Sequence, residues 1–170
     1  MAQFESAFEA MIKDEGGYQL ITLVGDTGGM TYAGIARNPN PQWPGWALVD
    51  RKDFGGALTG MVRDFYRTAF WDRIKGDQIA SQEIASSIFN FAVNTGAVMA
   101  IKLAQLSIGA TPDGGVGPKT LTLLNGADPA IFRKSYAVAK ITRYAEICNR
   151  NRDQSRFLLG WINRTLRGAA

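Results

Sequence analysis

Phe4, Phe8 and Met11 are spaced by four and three residues, and the chain breaks this rhythm sharply at Gly16-Gly17. The spacing predicts an amphipathic helix over 3–15 with a single buried face. Ala7 and Ile12 flank the stripe, whereas Glu5, Lys13 and Asp14 fall off it. Glu15 stands four residues after Met11, so it continues the apolar face instead of joining the wet one. Glycine tolerates the left-handed backbone that ends helices, so Gly16-Gly17 marks the stop.

A carboxyl at that position feels two effects of the same sign. The helix C-terminus carries partial negative charge, and partial burial disfavours ionisation, so both raise its pKa. A carboxyl that stays protonated near neutral pH is what a general acid requires. The same residue is also compatible with a plain helix end followed by a turn, because perturbed carboxylates are structural as well as catalytic.

Downstream, Leu20, Thr22 and Val24 alternate with Ile21 and Leu23, and Thr31, Ala33 and Ile35 alternate after Gly25-Asp26-Thr27-Gly28-Gly29. The pattern predicts one small hairpin over 19–36, with Asp26 in its turn and Thr31 on the returning strand. An Asp in such a turn is ordinarily a backbone hydrogen-bonding residue; here it lies one helix end from Glu15. Residues 37–50 carry three prolines, Trp43 and Trp46, and read as a loop in which a tryptophan either covers the core or faces a sugar. Helices are expected over 53–71, 81–94, 97–108, 129–148 and 152–166. Asn90 and Asn94 share a face and are placed to reach a cleft, or Asn94 caps its helix before Gly96. Pro118 is expected to open a further helix after the Asp113-Gly114-Gly115 turn. Asp113 lacks the companions of a calcium loop. The fold class is mainly α (α+β).

Composition narrows the chemistry. With no histidine among 170 residues, imidazole-dependent nucleophilic sites and ordinary catalytic zinc sites are excluded, leaving carboxylates as the workers. No cofactor or metal is implied. Cys148 is the one cysteine, so no intrachain disulfide can form, and a buried thiol is expected. The net charge of +4 suits an anionic partner without choosing one. No basic stripe with interleaved aromatics supports nucleic acid. The last helix presents Arg152, Arg156, Arg164 and Arg167, either a solvated face or a grip on an anionic wall or membrane surface. The N-terminus lacks a basic start and apolar core, and no apolar run is long enough to span a membrane. Synthesis in the cytoplasm without a signal peptide is therefore expected.

Glu15-Gly16-Gly17-Tyr18, Asp26-x-Gly28-Gly29-x-Thr31, Gly34-Ile35 and Trp43-x-Gly45-Trp46 resemble glycoside hydrolase family 108. Its members are phage endolysins and secretion-associated muramidases. The second half resembles the predicted peptidoglycan domain that accompanies it, through Phe89-Asn90-Phe91-Ala92-Val93-Asn94-Thr95-Gly96, Asp113-Gly114-Gly115-Val116-Gly117-Pro118-x-Thr120 and Phe157-x-x-Gly160-Trp161-x-Asn163-Arg164. Asn90 stands where the family often carries Asp. The resemblance implies a lysozyme-like helical fold, with the small hairpin beside the catalytic helix end. It divides the chain into 1–95, a lysozyme-like region, and 96–170, a peptidoglycan-binding helical region packed with the first as one unit.

The implied activity is an N-acetylmuramidase that cuts the β-1,4 bond between N-acetylmuramic acid and N-acetylglucosamine. Glu15 is then the catalytic acid, with Asp26 and Thr31 handling the attacking water. Tyr18, Trp43, Trp46, Asn90 and Asn94 are the candidates for contact with the glycan. A flexible turn favours widely separated carboxyls and so inversion. Two rivals remain open: a lytic transglycosylase using the same acid, and a non-catalytic peptidoglycan-binding module. The expected partner is the peptidoglycan strand, met by a monomer in the cell wall after holin-dependent release or recruitment to a secretion system.

Overall fold

The structure, a computed structural model, describes residues 1–14, 16–22 and 29–168. Among these the elements run α1 (Phe4–Asp14), β1 (Leu20–Thr22), β2 (Met30–Tyr32), β3 (Ile35–Ala36), α2 (Trp46–Asp50), α3 (Gly56–Tyr66), α4 (Gln82–Thr95), α5 (Ala97–Ser107), α6 (Pro118–Gly126), α7 (Pro129–Arg150) and α8 (Ser155–Arg167). The chain is mainly helical, with one small antiparallel sheet.

The stripe on α1 is buried as its spacing predicts: Phe4, Ala7, Phe8, Met11 and Ile12 all face inward. Phe4 packs on Phe8, Trp71 and Phe89, with ring centroids 5.4, 5.8 and 6.0 Å away. These contacts join α1 to α4 and to the end of α3.

The sheet has one strand more than the expected hairpin, in the order β1-β2-β3. Thr31 pairs with Ile21 on one side and Ala36 on the other. Only Ala33 and Gly34 separate the paired Tyr32 and Ile35, and both take positive φ, 49° and 79°. That two-residue turn matches the right-handed twist of the strands. The Tyr66 hydroxyl donates to the Ala33 carbonyl at 2.9 Å, tying the turn to α3. The expected strand continuation through Val24 and the turn at Asp26 lie outside the described residues.

Residues 37–50 are not simply a loop, since they end in α2. The Trp46 indole donates to the Asn40 carbonyl at 2.7 Å, and Arg37 grips Asp50 through two bonds of 2.6 and 2.8 Å. The prolines precede the helix, where a missing N–H costs nothing. At the other end of the first half, α3 widens into a π-helical turn over Arg67–Trp71. There the Asp72 amide reaches back five residues to the Arg67 carbonyl at 2.9 Å. Trp71 ends this turn fully buried, its indole N–H donating to Asp77 Oδ1 at 2.8 Å.

Ser81 caps α4 by accepting from the Ile84 amide, and Gly96 alone separates α4 from α5. Pro118 opens α6, and Asp128 with Pro129 starts α7. One cluster of buried side chains runs from Ala2 to Tyr144, through both halves of the chain. Cys148 is buried and unpaired.

The 113–120 turn is held by a buried amide. Gln105, 1% exposed, donates to Asp113 Oδ1 at 2.7 Å and the Gly115 carbonyl at 2.9 Å, and accepts from the Gly114 amide at 2.9 Å. The Asp113 carboxylate also accepts from the Gly115 amide, and these two bonds hold its pKa below the usual carboxylate range. Asp113 is thus a turn residue. Gln105→Leu leaves several of these groups without partners, so a loss of about 2 kcal/mol is expected. Urea unfolding checks it; an unchanged midpoint would show that the turn holds itself.

Candidate active site

The amphipathic pattern fixes where α1 stops. The Gly17 amide donates to the Ile12 carbonyl at 2.8 Å and the Gly16 amide to the Lys13 carbonyl at 3.2 Å. Both glycines take positive φ, 88° and 78°. This pair of bonds is a Schellman closure, which only residues free to adopt the left-handed backbone complete cheaply. Glu15 and Asp26, the two expected catalytic carboxylates, lie outside the described residues; the elements that flank them are described.

On the sheet side, Thr31 sits half-buried at the centre of the three strands. Tyr18 follows the helix end and is 39% exposed. Its hydroxyl pKa is raised, first by partial burial and then by the Glu9 carboxylate, so the phenol is a neutral hydrogen-bonding group at physiological pH.

On the helical side, Asp14, the last residue of α1, borders a hollow of about 320 Å³ shared with Asn90, Asn94, Arg164 and Arg167. Asn90 and Asn94 thus line this hollow. The Asn94 amide donates to the Asn90 carbonyl at 2.8 Å, and its Oδ1 accepts from Arg164 of α8. The helix ends at Gly96, so Asn94 is not its cap. A second cavity, of about 270 Å³, shares Asn90, Asn94 and Arg164 with the first and is also lined by Lys140 and Arg133 of α7. The first is lined mainly by polar side chains and the second also by Phe91 and Tyr144, and the two make a groove beside the end of α1.

Trp43 and Trp46 are not on that groove. They are 8% and 4% exposed and pack edge to face with centroids 5.1 Å apart. Gly45 lets them do so: a Cβ there would lie 2.3 Å from the Trp43 ring. The expectation that they face a sugar is corrected, because two apolar rings with the sheet and α3 available for packing gain more from burial.

Three groove residues were not singled out by the sequence as site residues. Arg164 was grouped with a basic helix face; it is exposed, as Arg152 and Arg156 are, and it donates to Asn94. Arg133 and Lys140 went unremarked. The available signal was the α7 stripe Phe132, Tyr136, Lys140 and Tyr144, in which a lysine occupies an apolar position.

The family model described as Glycosyl hydrolase 108 matches residues 8–96, and one described as Predicted Peptidoglycan domain matches residues 98–166. Among solved structures, the chain is similar to that titled "Structure of Brucella abortus SagA". The two are 23% identical with a TM-score of 0.72, and the alignment covers 98% of this chain and 91% of that chain. At that identity the likeness is one of fold, the lysozyme-like α+β arrangement. No curated protein sequence matches the chain.

Proposed function

The chain belongs to the glycosyl hydrolase 108 family, and on that premise we propose that it is an N-acetylmuramidase. It cleaves the β-1,4 bond between N-acetylmuramic acid and N-acetylglucosamine. Membership makes it a glycoside hydrolase, and the adjoining peptidoglycan domain directs that activity to the cell wall. The observation that supports the finer reading is the Schellman closure of α1 beside a polar hollow. It ends the helix right after Asp14, which borders a space able to hold a hydrophilic chain.

In the proposed reaction Glu15 donates its proton to the glycosidic oxygen as the C1–O bond breaks through an oxocarbenium-like state. Asp26, ionised, orients the water that adds to C1 and takes up its proton, and the Thr31 hydroxyl helps hold that water. The leaving sugar departs as an alcohol and the cleaved muramic acid gains a hydrated reducing end. Asn90 and Asn94 offer amide groups to sugar hydroxyls in the groove, and Tyr18, after the helix end, offers a phenol.

Mass spectrometry of muropeptides released from purified sacculi tests this. A hydrated reducing end is the expected product. A 1,6-anhydro end would replace hydrolysis by lytic transglycosylation, in which the sugar's own hydroxyl takes the place of water. Sedimentation with sacculi but no release of reducing sugar would leave only a binding module.

A further inference from the structure

Along α7, Phe132, Tyr136, Lys140, Tyr144 and Cys148 recur every four residues, and all but the lysine are buried. Lys140 lies in line with them, its Nζ 4.2 Å from the centroid of Tyr136 and 5.0 Å from that of Phe91. Among the described residues it has no carboxylate partner, and burial lowers its pKa to about 8. Among the described residues a cation there is held by aromatic faces.

The same cavity collects two more cations. Arg164 reaches it from α8 and Arg133 from α7, while Ser86, Ser87 and Asn90 of α4 form the facing wall. Glu83 supplies the one carboxylate among its lining residues and approaches Arg133 Nε at 3.4 Å. Even so, that buried Nε–H has no hydrogen-bond acceptor. A partly open cavity with three cations, one anion, a buried donor without an acceptor and flanking hydroxyls is short of negative charge.

We propose that this cavity is a carboxylate pocket that takes the acidic peptide branch of the glycan strand, so that the protein distinguishes peptide-bearing from bare glycan. The inference rests on the peptidoglycan reading above. The pocket's neighbourhood favours peptide over any other anion. It shares Asn90, Asn94 and Arg164 with the hollow beside Asp14, the residue that precedes the proposed acid in sequence. Muramic acid, the sugar that flanks the scissile bond, is the one that carries the peptide. A phosphate from lipid or wall polymer offers similar chemistry but no such tether.

Calorimetry with a free tetrapeptide of stem composition separates binding from cleavage. Saturable binding is expected, lost in the peptide's carboxyl methyl ester and not displaced by inorganic phosphate. Lys140→Met, which keeps the unbranched stem on its rings, and Arg133→Gln should each weaken it about tenfold or more, the effect of losing one charge-assisted bond. On sacculi, Lys140→Met should raise KM to the value for amidase-stripped glycan while leaving stripped glycan unaffected. Absence of peptide binding, binding unchanged in both variants, or equal competition by phosphate would each overturn the pocket. Peptide binding without glycan cleavage would instead overturn the muramidase reading and leave the pocket standing.

Discussion

Glu15→Gln is expected to give a folded protein that no longer releases reducing sugar from purified peptidoglycan. The amide keeps the size of the side chain but has no acidic proton to give to the departing oxygen. A positioned acid contributes about 10²–10⁴-fold, and a loss near the middle of that range is expected. Asp26→Ala should cost less, since water still reaches C1 without being aimed. Equal losses at the two positions would turn Asp26 into a nucleophile or an indispensable base. Circular dichroism must first show that each variant is folded, because α1 is built into the core through Phe4 and Phe8. Lysis retained by folded Glu15→Gln would remove the acid from the mechanism.

The largest effect on stability is expected at Trp71. Its indole is fully buried between Phe4 and Phe89, at 5.8 and 5.6 Å, and lies so close to Gly76 that a Cβ there would come within 2.2 Å of the ring. Trp71→Ala removes the ring and its bond to Asp77 Oδ1, for a cost of about 3–5 kcal/mol. Gly76→Ala overfills the same place and should cost about 1–3 kcal/mol. The two share one volume, so their effects cannot add: with the ring gone, the extra methyl has somewhere to go. In Trp71→Ala, adding Gly76→Ala should therefore be neutral or stabilising. Urea unfolding of the single and double variants decides it, and simple additivity would mean that the ring does not occupy the space above Gly76.

Much of the helical frame is legible from side-chain periodicity. In α1, α4 and α7 a wet face and a dry face are written plainly along the chain, and Pro118 and Ser81 mark starts by chemistry that needs no tertiary context. Other features depend on partners far away in sequence. β3 is two residues long, below the length at which alternation can register. α2 spans five residues and is held by Arg37 and Asn40, neither of which belongs to it. Trp43 and Trp46 show the general difficulty with aromatic residues in loops: their amphipathic character fits a sugar platform and a core lid equally well, and the packing space decides. At the groove the problem is reversed. Lys140 carries charge, so sequence places it in water, and only the packing of α7 against its neighbours covers it, while Arg164 stays exposed and is fixed by Asn94 of α4.

The wide turn at the end of α3 has a consequence for chain length. A π-helical turn holds one residue more than α geometry needs. Removing a residue within α3 itself would rotate everything beyond it by about 100° and swing Trp71 out of the core. Removing exposed Thr68 instead lets the turn relax to ordinary α geometry, with the faces on either side keeping their bearings. The helix thus contains one place where a relative can be a residue shorter without turning its tryptophan away from the core.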